Sequence, residues 1–499
     1  MDTIGVYWDD NNRLLFTKAV ETRGEIQEVV VKTDSIANLP DHGTMYRAKA
    51  ITVDSLTKPA NLVATLRDLA NVMRSHGVND EHQRYKETVK LLLARYVDEK
   101  SAAATSSKQL KLQVLDGPDT GFMARVRAMY TSAAIRYSRV RTLFHPRSEP
   151  DLNEETLRAL ITSIQGFDLS SASSDTMQQV FMTFVPAVFK KDLSQFFTPA
   201  SLIDTMVQMA APGPTDKIAD PAMGTADFLA SAMNYCVNRG DTDAHSRIFG
   251  SDSDLKAFDL AIVNMILNRD GQANLLHEDS IKAHERWAEG MDVVFCNPPF
   301  GSKTVESRPA VLGHYDLGHV WKKNDGAWLK TAALHKRQQL GILFIEKCWK
   351  MLRPKGRLAI ILPEGYLSTP AHGYVRQWIL KHFLIRSVVE LPRRIFVKSG
   401  ADLRSNMLIA EKRQPGDELR AYPIHASMVR RVGYKLGGDF KPLPLVDEVT
   451  GLPLRDGDNQ IILDSDFYRV LDEYESTPEL DSEDWNGATV ADILHPLGS

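Results

Sequence analysis

Positive charge is not in surplus in this chain. Its 60 lysines and arginines stand against 64 aspartates and glutamates, a net charge of -4 over 499 residues. A protein that grips nucleic acid tightly through its own surface carries a basic excess. Any such contact must therefore come from local basic patches or from a partner. Cysteine is scarce too. Cys236, Cys296 and Cys348 stand far apart without metal-ligand spacing, which excludes a disulfide scaffold and a metal site and fits reduced thiols in a cytoplasmic protein. No apolar run approaches the length of a membrane span, and the first twenty residues lack a signal-peptide pattern, so no membrane association is expected. Internal repeats and low-complexity segments are missing as well. What is present is ordinary for a soluble globular protein, 43% apolar and 25% charged, and long enough for two or three domains with real cores.

Periodicity divides the chain. Residues 1–55 alternate in a strand-like way, as in Leu14-Leu15-Phe16 and Glu28-Val29-Val30-Val31, and carry no functional signal. Over 56–194 the pattern is helical, with Leu62, Leu66, Leu69 and Val72, then Val89, Leu92, Leu93 and Tyr96, at helix spacing. Over 195–415 apolar strand candidates alternate with helices. The strands are expected at Lys217 to Ala219, Arg247 to Phe249, Asp292 to Cys296, Arg357 to Leu362, Ser387 to Leu391 and Met407 to Ala410. Helices are expected over Leu255 to Leu267 and Leu340 to Met351. Such alternation predicts a parallel sheet covered on both faces. Residues 416–499 form a polar tail with one helix near Asp466 to Tyr474, where a partner contact is expected. The last stretch, Trp485 to Leu497, reads as a lead into a further domain, so Pro496-Leu497-Gly498-Ser499 fits an expression scar or a truncation.

Ligands of an open α/β sheet sit beyond the carboxyl ends of its strands. Three expected strand ends here carry suitable groups. The first reads Asp220-Pro221-Ala222-Met223-Gly224-Thr225-Ala226-Asp227-Phe228, a small-residue turn that lets backbone approach a ligand and aims helix amides at it. The second, Gly250-Ser251-Asp252, ends on a carboxylate that can bind both hydroxyls of a ribose. In the third, Glu278-Asp279-Ser280, Asp279 is placed to accept from an adenine amine. Each alone reads equally as a turn or a cap, and Asp252 alone as the cap of the helix starting near Leu255. Three in series point to a nucleoside-containing cofactor. No lysine follows the first turn and it holds a single glycine, which disfavours a nucleotide-triphosphate loop and a dinucleotide site. S-adenosylmethionine fits, having ribose and adenine but no phosphates.

After the strand ending at Cys296 stand Asn297-Pro298-Pro299-Phe300. The Asn297 amide oxygen can accept from an amine. Two prolines stiffen the turn and leave the Pro298 carbonyl unpaired locally. Two acceptors aimed at one amine nitrogen draw its hydrogens out of conjugation and free its lone pair to attack a methyl group. Phe300 offers a face to a planar base. A proline-stiffened strand exit with a core phenylalanine is the plainer reading, disfavoured by the cofactor turn in the same chain.

The tetrapeptide resembles the catalytic signature of seven-stranded amino-methyltransferases. Upstream, Ser194-Gln195-Phe196-Phe197-Thr198-Pro199 resembles the segment preceding the cofactor turn in modification subunits of type I restriction-modification systems, and the order of motifs is theirs. The resemblance runs from about Leu62 to Lys412. It implies an α/β fold, a seven-stranded Rossmann-like methyltransferase sheet preceded by an all-helical N-terminal domain. It implies an adenine-specific site-specific DNA-methyltransferase using S-adenosyl-L-methionine and no metal. Gln195, Phe196, Phe197, Thr198 and Pro199 then lie beside the methionine part of the cofactor. Asp220, Gly224, Thr225 and Ala226 hold it at the first turn, Asp252 takes the ribose and Asp279 meets the adenine. Asn297 and Pro298 bind the target amine in the turn stiffened by Pro299. Phe300 stacks on the target base, with Phe396 as a second face. Gly356 to Pro363 and Glu390-Leu391-Pro392 also match. Asp227 departs from the family's glycine, and Met223 from its alanine or cysteine.

A base inside a duplex cannot reach such a site, so the adenine has to be flipped out. Lys303, Arg308, Lys322, Lys323, Lys336, Arg337, Arg393, Arg394, Lys398 and Arg404 follow the catalytic turn and form, as a group, a rim for phosphates. No specificity, nuclease or helicase motif stands out. The implied partners are duplex DNA, a specificity subunit, a second copy of the chain and, for cleavage, a restriction subunit. Unaided methylation at a defined site is not expected. Two other readings stay open: a methyltransferase of the same fold acting on a protein glutamine or on RNA, and a catalytically silent scaffold of a defence complex.

Overall fold

The computed structural model describes residues 50–57, 62–115, 119–138, 149–169, 198–268, 274–301, 304–396, 403–417, 422–436, 442–457 and 461–477, and the backbone of three earlier strands. Those strands, β1 (Ile4–Trp8), β2 (Leu14–Thr22) and β3 (Glu25–Lys32), pair antiparallel in the order β1-β2-β3. The chain forms two compact units, one drawn from Met1–Tyr137 and Phe144–Ala172, the other from Ser138–Leu143 and Ser173–Ser499. The expected boundary at 194 falls outside the described residues.

In the first unit the helices are α1 (Leu62–Ser75), α2 (Glu81–Ala103), α3 (Phe122–Arg136) and α4 (Glu154–Ile164). Asp80 caps α2 by accepting from Gln83 N, and Asn153 caps α4 by accepting from Thr156 N, as short polar side chains do at helix starts. Apolar positions of α3 and α4, such as Val126, Tyr130, Leu157 and Ile161, are buried. A buried arginine ties the helices to their loops. Arg95 pairs with Glu99 at 2.9 Å and donates to the carbonyls of Leu112, Gln165 and Phe167, so its charge is compensated on every side.

The second unit opens with α5 (Ala200–Ala210) and β4 (Ile218–Asp220), followed by α6 (Asp227–Val237), β5 (Ile248–Asp252), α7 (Leu255–Leu267), β6 (Asn274–His277) and β7 (Met291–Cys296). An insert then runs through β8 (Val305–Glu306), α8 (Pro309–Leu312), β9 (His319–Asn324), β10 (Ala327–Leu334) and β11 (Gln338–Gln339). The chain returns to the main layers with α9 (Leu340–Met351), β12 (Leu352–Pro363), α10 (Glu364–Ser368), α11 (Gly373–His382), β13 (Phe383–Leu391), β14 (Ser405–Lys412), β15 (His425–Met428) and α12 (Phe467–Glu475).

Eight strands make one sheet in the order β15-β13-β14-β12-β7-β4-β5-β6. Strands β4, β5, β6, β7 and β12 run parallel, β14 is antiparallel between β12 and β13, and β15 pairs parallel with β13. The central strands are continuous apolar runs because both faces are covered by helices. Val293 to Cys296 and Leu358 to Leu362 are 0% exposed. All six expected strands are present, and α7 and α9 match their expected spans. The expected methyltransferase sheet is present, and the segment after 416 adds β15 at its edge as an eighth strand. The helix expected in that segment near Asp466 to Tyr474 is α12, which buries Phe467 and Val470 against this unit. Trp485 to Leu497 lie outside the described residues.

Candidate active site

The strand order brings the expected ligand-bearing ends side by side. β4 lies between β7 and β5, and β6 flanks β5. Hydrogen bonds then lash the three ends together. Met223 N donates to the Ser251 carbonyl at 3.2 Å, and Glu278 N donates to the Asp252 carbonyl at 2.9 Å. The Ser251 and Ser280 hydroxyls meet at 2.6 Å, and Ser280 also donates to the Pro221 carbonyl. Gly250 is required beneath this junction, because a Cβ there would lie 2.6 Å from both Leu229 Cδ1 and Met223 Sδ. Met223 fills the space over that glycine.

The first turn is closed by its own carboxylates. Gly224 takes φ +53 and Ala226 φ 62, a left-handed pair that reverses the chain into α6. Asp252 receives Gly224 N at 3.0 Å on one oxygen and Asp254 N at 2.8 Å on the other. The cap of α7 is Asp254, whose carboxylate accepts from Ala257 N. Asp252 is therefore not that cap. Asp220 is buried below the turn and accepts from Ala222 N. Burial pushes its carboxyl up to about 8, and the neighbouring Asp252 and Asp227 charges add to the rise. Asp279 accepts from Ile281 N and stands 3.6 Å from Arg308.

Asp227, the departure from glycine, points away from the open end of the turn. Its oxygens accept from Thr225 Oγ1 at 2.7 Å and from Asn264 Nδ2 at 2.9 Å. Asn264 also donates to the Thr225 carbonyl and is linked to Asn268 and Asn234. Burial pushes the Asp227 carboxyl up to about 6, against the pull of its two donors. The sequence carries a trace of this network. Asn264 interrupts the apolar stretch from Leu260 to Leu267, and a buried polar residue in such a stretch needs a partner.

The expected catalytic turn leaves β7 directly beside β4. Asn297 donates from Nδ2 to Thr198 Oγ1 at 2.8 Å. Its Oδ1 is buried and has no hydrogen-bond partner among the described residues. A buried acceptor left without a donor is uncommon and costly in a folded protein. Here it leaves an amide oxygen ready to receive an amine hydrogen. Thr198 and Pro199 are buried at the entrance to α5, with Pro199 at its cap. Gln195, Phe196 and Phe197 lie outside the described residues. Phe300 and Phe396 meet edge to face, centroids 6.1 Å apart, 4% and 1% exposed. The contact between Thr198 and Asn297, 99 residues apart in sequence, had no local signal.

With this geometry in hand, the likenesses to known proteins are informative. The family model described as N-6 DNA Methylase matches residues 174–430. The type I restriction enzyme EcoEI methylase subunit of Escherichia coli is 25% identical over 284 residues, which cover 54% of this chain and 53% of that protein. The EcoKI methylase subunit of Escherichia coli strain K12 is 24% identical over 298 residues, covering 55% and 52%. The chain thus spans about half the length of the curated relatives it matches. A type I restriction-modification methyltransferase subunit from Streptococcus thermophilus shares the fold at 17% identity, with a TM-score of 0.57 over 85% of this chain and 94% of that one. With the matched segment covering more than half of its residues and the methyltransferase sheet around it, this chain belongs to the N-6 DNA methylase family.

Proposed function

We propose that this chain transfers a methyl group from S-adenosylmethionine to the N6 amine of a flipped-out adenine in duplex DNA, as the modification subunit of a type I-like restriction-modification complex. The observation that carries the reading is the buried Oδ1 of Asn297 just past β7, which has no hydrogen-bond partner among the described residues, one strand away from the acidic turn after β4. Carboxyl groups crowd that turn, with Asp220, Asp227 and Asp252 close enough to influence one another. Such a site offers acceptors to the hydroxyls of a nucleoside-containing cofactor. When bound, S-adenosylmethionine supplies an electrophilic methyl at its sulfonium.

The chain's own residues do the remaining work. Asp252, already set by Gly224 N and Asp254 N, accepts from the ribose hydroxyls. Asp279 lies at the adenine end, and Asp220 keeps the turn in shape from below. Thr198 holds the Asn297 amide so that its oxygen faces the target amine, beside the Pro298 carbonyl. Both acceptors take an amine hydrogen, which localises the nitrogen lone pair toward the methyl group. Phe300 stacks on the base, and Phe396 backs it edge-on. Base-edge recognition comes from a separate specificity subunit, and a second copy of the chain completes the complex.

Methyl transfer from labelled S-adenosylmethionine to duplex DNA tests the reading. The chain alone is expected to give no site-specific product, and the chain with a specificity subunit to yield N6-methyladenine. Asn297→Ala should lower the rate about 100-fold to 1,000-fold while sparing cofactor affinity, as loss of one reacting-centre hydrogen-bonding group typically does. A full rate in that variant sinks the assignment. Methylated RNA or glutamine as the sole product would replace the substrate.

A further inference from the structure

The insert between β7 and α9 carries a strongly cationic ribbon. Over His319–Arg337 stand Lys322, Lys323, Lys330, Lys336 and Arg337 against Asp325 as the single acidic residue. That is a net +4 in a chain of net -4. Lys330 is committed to Asp316. Lys322, Lys323, Lys336 and Arg337 are exposed and make no ion pair among the described residues. Elsewhere in the expected basic rim, two of the charges are spoken for. Arg308 pairs with Glu306, and Arg404 lies 3.9 Å from Glu390. Lys303 and Lys398 lie outside the described residues.

The ribbon is a regular two-stranded antiparallel hairpin. β9 and β10 pair Leu329 with Lys322 and Trp328 with Lys323, and both turn residues, Asp325 and Gly326, have positive φ of 47° and 85°. Such a turn matches the natural twist of a hairpin. The hairpin belongs to no larger sheet, yet it is firmly rooted. Gln377 of α11 accepts from Trp328 N at 2.8 Å and donates to Trp328 O at 2.7 Å. The Trp328 indole occupies the space over Gly373 so closely that a Cβ there would lie 2.5 Å from Nε1. Trp321 stacks with Tyr374 and donates to the Asp316 carbonyl.

The root of the insert adjoins the catalytic turn. Thr304 donates to the Phe300 carbonyl, and Leu340 N donates to Thr304 O, where β8 and β11 pair as the chain leaves and returns. The insert therefore springs from the same end of the sheet as Asn297. A two-stranded ribbon fits the major groove of B-form DNA, and cations without protein partners are available to phosphates.

We infer that the β9–β10 hairpin is a DNA-engaging arm that grips the duplex backbone beside the flipped base. This rests on the reading of the chain as a DNA methyltransferase. Its test uses the full-length chain and a short random-sequence duplex, with affinity followed as salt is raised from about 50 to 200 mM. Lys322→Ala/Lys323→Ala should reduce the magnitude of the log–log salt slope by about 2, one for each phosphate no longer neutralised. Across that salt range the ratio of wild-type to variant affinity then changes roughly tenfold. Arg239→Ala/Lys435→Ala removes equal charge elsewhere on the unit and should leave the slope near wild type. Unchanged affinity and slope in the hairpin variant overturn the inference, and so does an equal loss in the control. Intact duplex binding with methylation lost only in the presence of the specificity subunit also overturns it, making the hairpin a protein contact. Failure of the methyltransferase reading shows separately, as a wild-type chain that neither binds S-adenosylmethionine nor methylates DNA. A hairpin-dependent slope in that same protein would still support the arm.

Discussion

Replacing Thr198 by valine removes one hydroxyl of nearly the same volume, and the structure says what that hydroxyl does. It accepts from Asn297 Nδ2 at 2.8 Å in a buried setting, while Asn297 Oδ1 has no partner among the described residues. Without the hydroxyl the amide nitrogen becomes an unpaired buried donor, a cost of about 1–3 kcal/mol. The side chain then turns to recover a partner, and the oxygen no longer faces the target amine. If the whole cost appears in the transition state, kcat falls about 5-fold to 150-fold, at about 1.36 kcal/mol per decade. Single-turnover methylation at saturating cofactor and DNA, in the complex with the specificity subunit, measures it. Thr198→Ser keeps the hydroxyl and should restore most of the rate, and calorimetry should find S-adenosylmethionine binding nearly unchanged in both variants. The reasoning is refuted if Thr198→Val turns over at the wild-type rate. It is also refuted if the whole loss lies in the KM for the cofactor, which would leave Thr198 beside the methionine part, as the family resemblance implies.

Asp252→Ala should weaken S-adenosylmethionine binding by about 1.5–3 kcal/mol through the lost ribose bonds to a charged acceptor. Calorimetry on folded variant checks this, and unchanged affinity would place the ribose elsewhere. Asp227→Asn tests the buried network through pH. The folded carboxyl is raised from 3.8 to about 6, so the native state holds its proton more tightly than the unfolded chain. Wild-type stability should therefore fall as pH rises through that window and level off above it, by up to about 3 kcal/mol. The asparagine variant lacks this fall, so urea midpoints of the two proteins should diverge in its favour from about pH 4 to pH 7. Parallel curves would show that Asp227 is not held as the structure has it.

The sequence alone determined the elements and the chemistry they offer, because both are written locally. A strand buried on two faces must be apolar throughout, and Asp292 to Cys296 and Arg357 to Leu362 declared themselves that way. A helix between two layers must repeat its apolar positions, which set Leu255 to Leu267 and Leu340 to Met351. The Asn297 to Phe300 tetrapeptide and the turn after Asp220 are contiguous, so their residue types could be read together. β15 escaped because it is a short, half-exposed edge strand with no apolar run, and the β9–β10 ribbon because it packs on only one side.

Tertiary structure decided everything that depends on which surfaces meet. Nothing local says that β7 lies beside β4, since several strands present equally apolar faces and only packing of the whole sheet chooses among them. That choice sets the turn at Asn297 next to the turn after Asp220. It also settled that Asp254 caps the helix and leaves Asp252 to the turn, that Asp227 faces Asn264, and that Thr198 reaches Asn297. Each of these is a hydrogen bond whose direction depends on backbone placement to within a fraction of an ångström, which packing supplies and residue order does not.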